Sequence, residues 1–506
     1  MLRFFLVFAV LAAGLTPNWA HSSEADIDAA SRSVVRVVLL AVSGNRIQVI
    51  SYGSGFAVKG DTFVTNAHVI RDAARYNNVA IGIVPSEGDD PRIAKLIDFD
   101  TKRDLALLKV ESGLNLPALT FVTNFDSESA DVTAVGYPGV IEVILGNDQR
   151  DLIKPQKPTK GRGSVSQQRD VRGVFSVMHS AAIAKGNSGG PLLDDCGRVV
   201  GVNAQGTLSQ ASEAEFLFAI ANRETLSFLR RNEVTPKTSD LPCRSLAEIE
   251  AEEAERARVA ADKAEAEQEA RDAETQQQRD RIEAQIMEER ENMMAVAAVL
   301  LLLAAGGAAL SWQASQAEDG KTRAVIFGSI GAIAALGAIF AWIQRPGLSD
   351  VDERLSGNAE ADPLLSGPAN KLQAGMLTCT LDTERSRVTS APPHDIEFEW
   401  QAEGCHQDTQ YEQRGGEWQR IFVPTEDYMI RVATIDPEAG EFRNERYLVP
   451  RAEWQKARDT RMNYTPPKCG AIDASTRLGD MQRSVFALLP DQPNERLVYK
   501  CEAKGE

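Results

Sequence analysis

The segment Gly186-Asn187-Ser188-Gly189-Gly190-Pro191-Leu192 sets one serine between an asparagine and two glycines. A serine hydroxyl is a poor nucleophile until a base takes its proton. Glycines beside it let the backbone turn tightly and present N–H groups to a developing oxyanion. The partners such a serine needs stand upstream. Val64-Thr65-Asn66-Ala67-His68-Val69-Ile70 places a histidine at the end of an apolar run, and Arg103-Asp104-Leu105-Ala106-Leu107-Leu108-Lys109-Val110 opens a buried-strand run with an aspartate. Histidine works as a base near neutral pH, and a carboxylate fixes its tautomer and stabilises the imidazolium. An unpaired carboxylate at the mouth of a buried strand is costly, which calls for a partner for Asp104.

Outward from these segments, residues 30–235 read as one β-rich domain. Short apolar and β-branched runs recur at Val34–Val42, Gly55–Val58, Thr62–Val64, Ala80–Val84, Leu105–Val110, Val132–Val135, Val174–Met178, Val199–Asn203 and Phe216–Ile220. Gly, Asn, Asp and Pro fall between them, the rhythm of a barrel or sandwich. Leu226, Phe228 and Leu229 mark an apolar stripe and predict a closing helix over Arg223–Arg231.

Taken together, these strings resemble the trypsin-like, chymotrypsin-fold serine peptidases, and most closely their HtrA-type branch. Gly53-Ser54-Gly55-Phe56, the Thr65-to-Val69 segment, the run from Asp104 and the glycine-flanked Ser188 follow in the order His, Asp, Ser. Val135-Gly136-Tyr137-Pro138-Gly139 and Phe218-Ala219-Ile220 match that branch's intervening and closing pieces. The resemblance covers roughly residues 30–235 and implies an all-β double β-barrel. It implies His68 as general base, Asp104 as orienting acid, Ser188 as nucleophile, and an oxyanion hole at Gly186, Asn187 and Ser188. It implies a substrate pocket with its floor at Ala182 and its wall at Ala204, Gln205 and Gly206. Ala182 offers no counter-ion to Lys or Arg, so small to medium apolar side chains are expected before the scissile bond. Lys185 at the rim would favour nearby acidic groups. His179 lacks the apolar setting of His68 and is read as structural or cleft-lining. The sequence departs from the branch where a PDZ domain usually follows, and no Ile-Val-Gly-Gly-like activation site is visible. The resemblance also leaves room for a homo-oligomer.

Composition frames the rest. At 506 residues, 43% hydrophobic and 25% charged, the chain is of ordinary globular make-up, with length for about three domains. A net charge of -17 argues against a nucleic-acid partner. Residues 244–292 carry sixteen Asp/Glu against eight Lys/Arg and no Gly or Pro, which predicts a helical, solvated stalk of roughly 70 Å without a sustained coiled-coil heptad. Residues 1–20 have a signal-peptide layout, one Arg3 before an apolar core; Asn18 marks the cleavage site poorly, and an uncleaved anchor is the alternative. Met293–Trp312 and Ala324–Ile343 are long enough to cross a bilayer and predict an antiparallel transmembrane hairpin, with buried core helices as the alternative. Gly306, Gly307, Gly328, Gly331 and Ala335 would let the two helices approach. Counting crossings places residues 344–506 in the same compartment as residues 30–235.

A linker over 344–373 leads to a small β-rich domain of unknown role at 374–506. Six cysteines, Cys196, Cys243, Cys379, Cys405, Cys469 and Cys501, fit a disulfide-forming compartment, with free buried thiols as the alternative. Pairing of Cys196 with Cys243 would pin the end of the first domain, and the other four allow three connectivities. His394 and His406 lack ligand spacing with these cysteines and are read as surface residues; no metal site, P-loop or dinucleotide fingerprint stands out, so no cofactor is expected. The favoured reading is a serine endopeptidase acting on polypeptides, tethered to a bacterial inner membrane with its folded domains in the periplasm. The alternative is a membrane-anchored interaction protein that uses a protease-like domain as a binding module.

Overall fold

The computed structural model describes residues 21–44, 46–88, 90–111, 113–125, 130–204, 217–316, 321–345, 347, 372, 374–391, 393–401, 403–425 and 428–504. The signal-like segment 1–20, most of the linker 344–373, and Gln205 and Gly206 lie outside them. The chain divides into two compact units, residues 1–253 with 369–506, and residues 254–368.

The first unit opens with a helix, His21–Ser31, followed by β1 (Val34–Ser43), β2 (Arg46–Lys59), β3 (Thr62–Thr65), β4 (Val79–Val84), β5 (Arg92–Asp100) and β6 (Leu105–Val110). These six strands close a barrel in the order β1-β2-β3-β6-β5-β4. Next come β7 (Thr120–Val122), β8 (Asp131–Gly136), β9 (Thr159–Val171), β10 (Val174–His179), β11 (Pro191–Leu193), β12 (Val199–Ala204), β13 (Leu217–Ala221) and β14 (Lys237–Ser239). A second ring runs β11-β8-β9-β10-β13-β12 and closes through the β11–β12 pairing, while β7 and β14 extend it in parallel from β12. The all-β double barrel expected from the resemblance is the observed architecture.

Strand alternation explains why the barrel runs read as continuously apolar. Val35, Ala57, Phe63, Ala106 and Leu108 fill a core among the first barrel's strands. Their neighbours Val34, Phe56, Val64, Leu105 and Leu107 point the other way, into a core shared with Phe121, Val135 and Val202 of the second sheet and Phe228 of the helix Asn222–Arg231. A third core, with Val132, Val165, Val177, Leu192 and Ala219, lies among the second barrel's strands. Both strand faces are therefore buried, and each fully buried large side chain contributes about 1.5–3 kcal/mol. Five strands escaped the sequence reading: β7, β11 and β14, of three residues each, and the longer β5 and β9. β9 (TKGRGSVSQQRDV) buries only Val165, and β5 leaves Ile93, Ile97 and Phe99 exposed. Both are held by ladders on either side, β5 adding only Ala94 and the half-buried Leu96 to the first barrel's core.

Cys196 and Cys243 form a disulfide. Just beyond it, Ser245 and Glu248 cap the next helix reciprocally: the Ser245 N–H donates to Glu248 Oε2 (2.8 Å) and the Glu248 N–H to Ser245 Oγ (3.1 Å). That helix runs unbroken over Leu246–Ser315, 70 residues, so the predicted stalk and the first apolar segment are one element of about 105 Å. A second helix covers Lys321–Ile343. Both are long and apolar enough to cross a membrane. They pack antiparallel: a Cβ on Gly307 would lie 2.9 Å from Gly331 Cα, Gly328 faces Ser311, and Gly337 faces Leu300. Ser311 Oγ donates to the Ala324 carbonyl at 2.8 Å, and Gly306 meets nothing within 4 Å.

The last domain is a seven-stranded antiparallel sheet. It runs from Ile396–Trp400 through Gly375–Leu381, Glu495–Ala503, Glu441–Leu448, Met429–Asp436 and Glu417–Phe422 to Glu412–Arg414. One face is covered by the helices Arg451–Met462 and Ala474–Phe486 through Trp454, Ala457 and Val485. Disulfides join Cys379 to Cys501 and Cys405 to Cys469. His394 is exposed, and His406 is half-buried with its ring edge-on to Phe398. The sheet meets the barrels through a buried ion pair, Arg387–Asp26, and Asn494 Nδ2 donates to Asp26 Oδ1 at 2.7 Å. Burial raises the Asp26 carboxyl above its ordinary pKa despite Arg387.

Candidate active site

His68 follows β3, and Asp104 stands immediately before β6, the strand paired with β3. With its proton on Nδ1, His68 donates to Asp104 Oδ2 at 2.7 Å, and the His68 backbone N–H donates to Oδ1 at 2.9 Å. Both carboxylate oxygens are thus engaged by one residue. Asp104 reaches them from a left-handed backbone, φ +56°, a conformation that aspartate tolerates better than most residues. Asn66 Nδ2 donates to the Asp104 carbonyl at 2.8 Å and fixes that turn.

Ser188 comes from the other barrel, on the turn ahead of β11, and is buried. Its carbonyl accepts from the Ser54 N–H at 2.9 Å, and Gly53 separates that carbonyl from the side chain of Val69, next to His68. The histidine and serine segments therefore meet across β2. Among the described residues the Ser188 hydroxyl makes no hydrogen bond, so the structure joins His68 to Asp104 but does not link Ser188 to His68 directly. The N–H groups of Gly186 and Ser188 likewise donate to nothing among the described residues. Gly186 has φ +103°, and a Cβ there would sit 2.1 Å from the Tyr137 carbonyl; Gly189 has φ +87°, and its Cβ would sit 2.2 Å from the Ser54 carbonyl. Only glycine fits at either point. Asn187 is buried with its Oδ1 unpartnered.

One contributor was missed by sequence reasoning. Ser54 Oγ donates to the Gly186 carbonyl at 2.6 Å and accepts from the Tyr137 N–H at 2.9 Å, so it staples the glycine loop to the second barrel. Its signal was a polar residue inside the otherwise apolar run that ends β2. Arg36 is a second. It is fully buried, pairs with Glu142, donates to the Leu152 carbonyl at 3.0 Å and stacks 4.6 Å over Tyr137. It thereby orders the 137–156 connection beside the loop.

Ala182 and Lys185 are exposed and Ala204 is half-buried. One cleft lies at the His68–Asp104 pair and another at the serine loop. The first, about 280 Å³, is lined by His68, Arg71, Arg75, Phe99, Thr101 and Asp104. The other, about 270 Å³, includes Ile50, Tyr52, Gly139, Leu152, Lys185 and Gly186. His179 is 4% exposed with both ring nitrogens unpartnered. Burial pulls its pKa down to about 4, against a small opposing contribution from the Ala181 backbone, so the ring is neutral at pH 7.

The family described as a trypsin-like peptidase domain matches residues 53–202. Serine protease Rv3671c of Mycobacterium tuberculosis is 32% identical over 188 residues, 37% of this chain and 43% of that protein. Serine protease HTRA4 of Homo sapiens is 34% identical over 182 residues, 35% of this chain and 36% of its own. A probable periplasmic serine endoprotease DegP-like of Halomonas elongata is 34% identical over 157 residues, 31% of this chain and 29% of its own. The chain spans less than half the length of these relatives. On this match, with the paired barrels and the segments that carry His68, Asp104 and Ser188, residues 53–202 form a trypsin-like peptidase domain similar to those of HtrA-type serine proteases.

Proposed function

We propose that this protein is a membrane-anchored, exported serine endopeptidase whose folded domains face the periplasm of a bacterium. The observation that carries the reading is the doubly hydrogen-bonded His68–Asp104 pair, together with a glycine-framed Ser188 whose own N–H, like that of Gly186, donates to nothing among the described residues. Ser188 Oγ attacks the scissile carbonyl while His68 Nε2 takes its proton. Asp104 holds the proton on Nδ1 and stabilises the imidazolium. The Gly186 and Ser188 N–H groups receive the oxyanion. His68 then protonates the leaving amine, and water hydrolyses the acyl-enzyme by the reverse proton path. Ala182, with Ala204, Gln205 and Gly206, sets a preference for small or medium apolar side chains before the scissile bond. Lys185, in the cleft beside Gly186, favours acidic groups nearby. The two apolar helices supply the anchor, and three disulfides fit an oxidising compartment.

The test is labelling of the full-length protein in detergent with a fluorophosphonate probe. Labelling of the wild type that is lost in both Ser188→Ala and His68→Ala is the expected result. Labelling that persists in Ser188→Ala, or a folded wild type that never labels, overturns the reading. A second reading, a protease-like binding module, draws on the absence of a Ser188–His68 hydrogen bond. Catalytic hydrogen bonds are often loose before substrate binds, so the peptidase reading is preferred. A cellular phenotype that survives Ser188→Ala would favour the module.

A further inference from the structure

A cavity of about 420 Å³ lies where the first barrel and the helix His21–Ser31 meet the C-terminal sheet, and none of His68, Asp104 and Ser188 lines it. Its charged lining comes from both sides: Asp26, Arg32, Lys59 and Lys237 from the barrel domain, Arg446 and Glu495 from the sheet.

The two carboxylates are already satisfied. Asp26 pairs with Arg387, which stands outside the lining. Glu495 pairs with Arg446 at 3.0 Å and accepts from the Thr389 N–H at 2.8 Å. The cations are not matched in the same way. Among the described residues the Arg32 guanidinium makes no hydrogen bond or ion pair, and its Nε is buried without a partner. Glu87, Asp28 and Glu453 act on it only at a distance, and burial lowers its pKa from the ordinary arginine value. Arg446 also keeps a buried Nε unpartnered. Lys59 and Lys237 are exposed and form no ion pair among the described residues. A partly desolvated guanidinium without a hydrogen-bonded counter-charge is costly, and planar N–H forks suit oxyanions. The volume is that of a small-molecule site.

We propose that this cavity binds a small organic anion, a carboxylate or phosphate ester, held between Arg32, Lys59 and Lys237 of the barrel domain and Arg446 of the sheet. Such a ligand touches both domains and stabilises their docking by mass action.

The test titrates the full-length protein in detergent with pyrophosphate and with citrate, by calorimetry at low ionic strength. Saturable binding of at least one probe is expected, weakened about tenfold in Arg32→Gln and in Lys59→Ala/Lys237→Ala, with melting midpoints reporting that each variant folds. The two lysines are exposed, so their double variant decides alone should Arg32→Gln fail to fold. Tighter pyrophosphate assigns a phosphate ester, and tighter citrate a carboxylate. No saturable binding of either probe to the wild type, or a loss below about threefold in either folded variant, overturns the proposal.

Discussion

The glycine loop around Ser188 and the C-terminal sheet fasten their buried parts by opposite means. Around Ser188, backbone packs on backbone: a Cβ on Gly186, Gly189 or Gly190 would lie 2.1, 2.2 and 2.2 Å from the carbonyls of Tyr137, Ser54 and Val135. The sheet instead buries charges and sulfur, with Arg387–Asp26, Arg446–Glu495 and two disulfides. The first arrangement is vulnerable to an added atom, the second to a removed charge.

That contrast can be broken at the charge. Arg387→Leu strands the Asp26 carboxylate and should cost about 3–5 kcal/mol in equilibrium unfolding, while adding Asp26→Leu should restore most of it. If the double variant is as unstable as the single, burial of charge is not what fastens the sheet. On the loop side, Gly186→Val should lower kcat/KM about 100-fold or more by displacing an oxyanion donor, and should also lower the melting midpoint, because its Cβ would lie 2.1 Å from the Tyr137 carbonyl. A variant that keeps both activity and midpoint would erase the distinction.

His179 sharpens the comparison, because the second barrel buries its imidazole without a side-chain partner among the described residues. Its folded pKa of about 4 lies below the ordinary 6.5. The unfolded chain takes up a proton first as pH falls, so stability is intact above pH 6.5, is lost between 6.5 and 4, and changes no further below. The loss attributable to this group is about 3 kcal/mol. Denaturation curves of His179→Gln should be correspondingly flatter across that window; an unchanged slope would remove His179 from the account. The smallest effect belongs to the exposed pair Arg483–Asp480 on the sheet's own helix, where Arg483→Ala should cost less than about 1 kcal/mol.

Legibility followed the same divide. Runs such as Leu105–Val110 were readable because both strand faces are buried over Leu105–Leu108 and only the exposed Lys109 interrupts them. The strands β5 and β9 were not: β9 is polar along most of its length, and the apolar residues of β5 are interrupted by Lys95 and Asp98 and stand largely exposed. At the site, residue types in fixed strings marked His68, Asp104 and Ser188, but the left-handed backbone of Asp104 and the staple at Ser54 belong to the third dimension. The helices Arg451–Met462 and Ala474–Phe486 were overlooked because few large apolar residues mark them; the first buries only Trp454 and Ala457. The cavity at Arg32 was unreadable for a different reason, since residues 26 and 495 become neighbours only once the sheet has docked.

The Cys379–Cys501 bridge has a mechanical consequence. It joins the first strand of the C-terminal domain to its last, which lie side by side, and bypasses a sequence separation of 122 residues. Pulled at its two ends, the domain would carry tension through the sulfurs alone. Roughly 400 Å of contour length would stay slack until reduction released it.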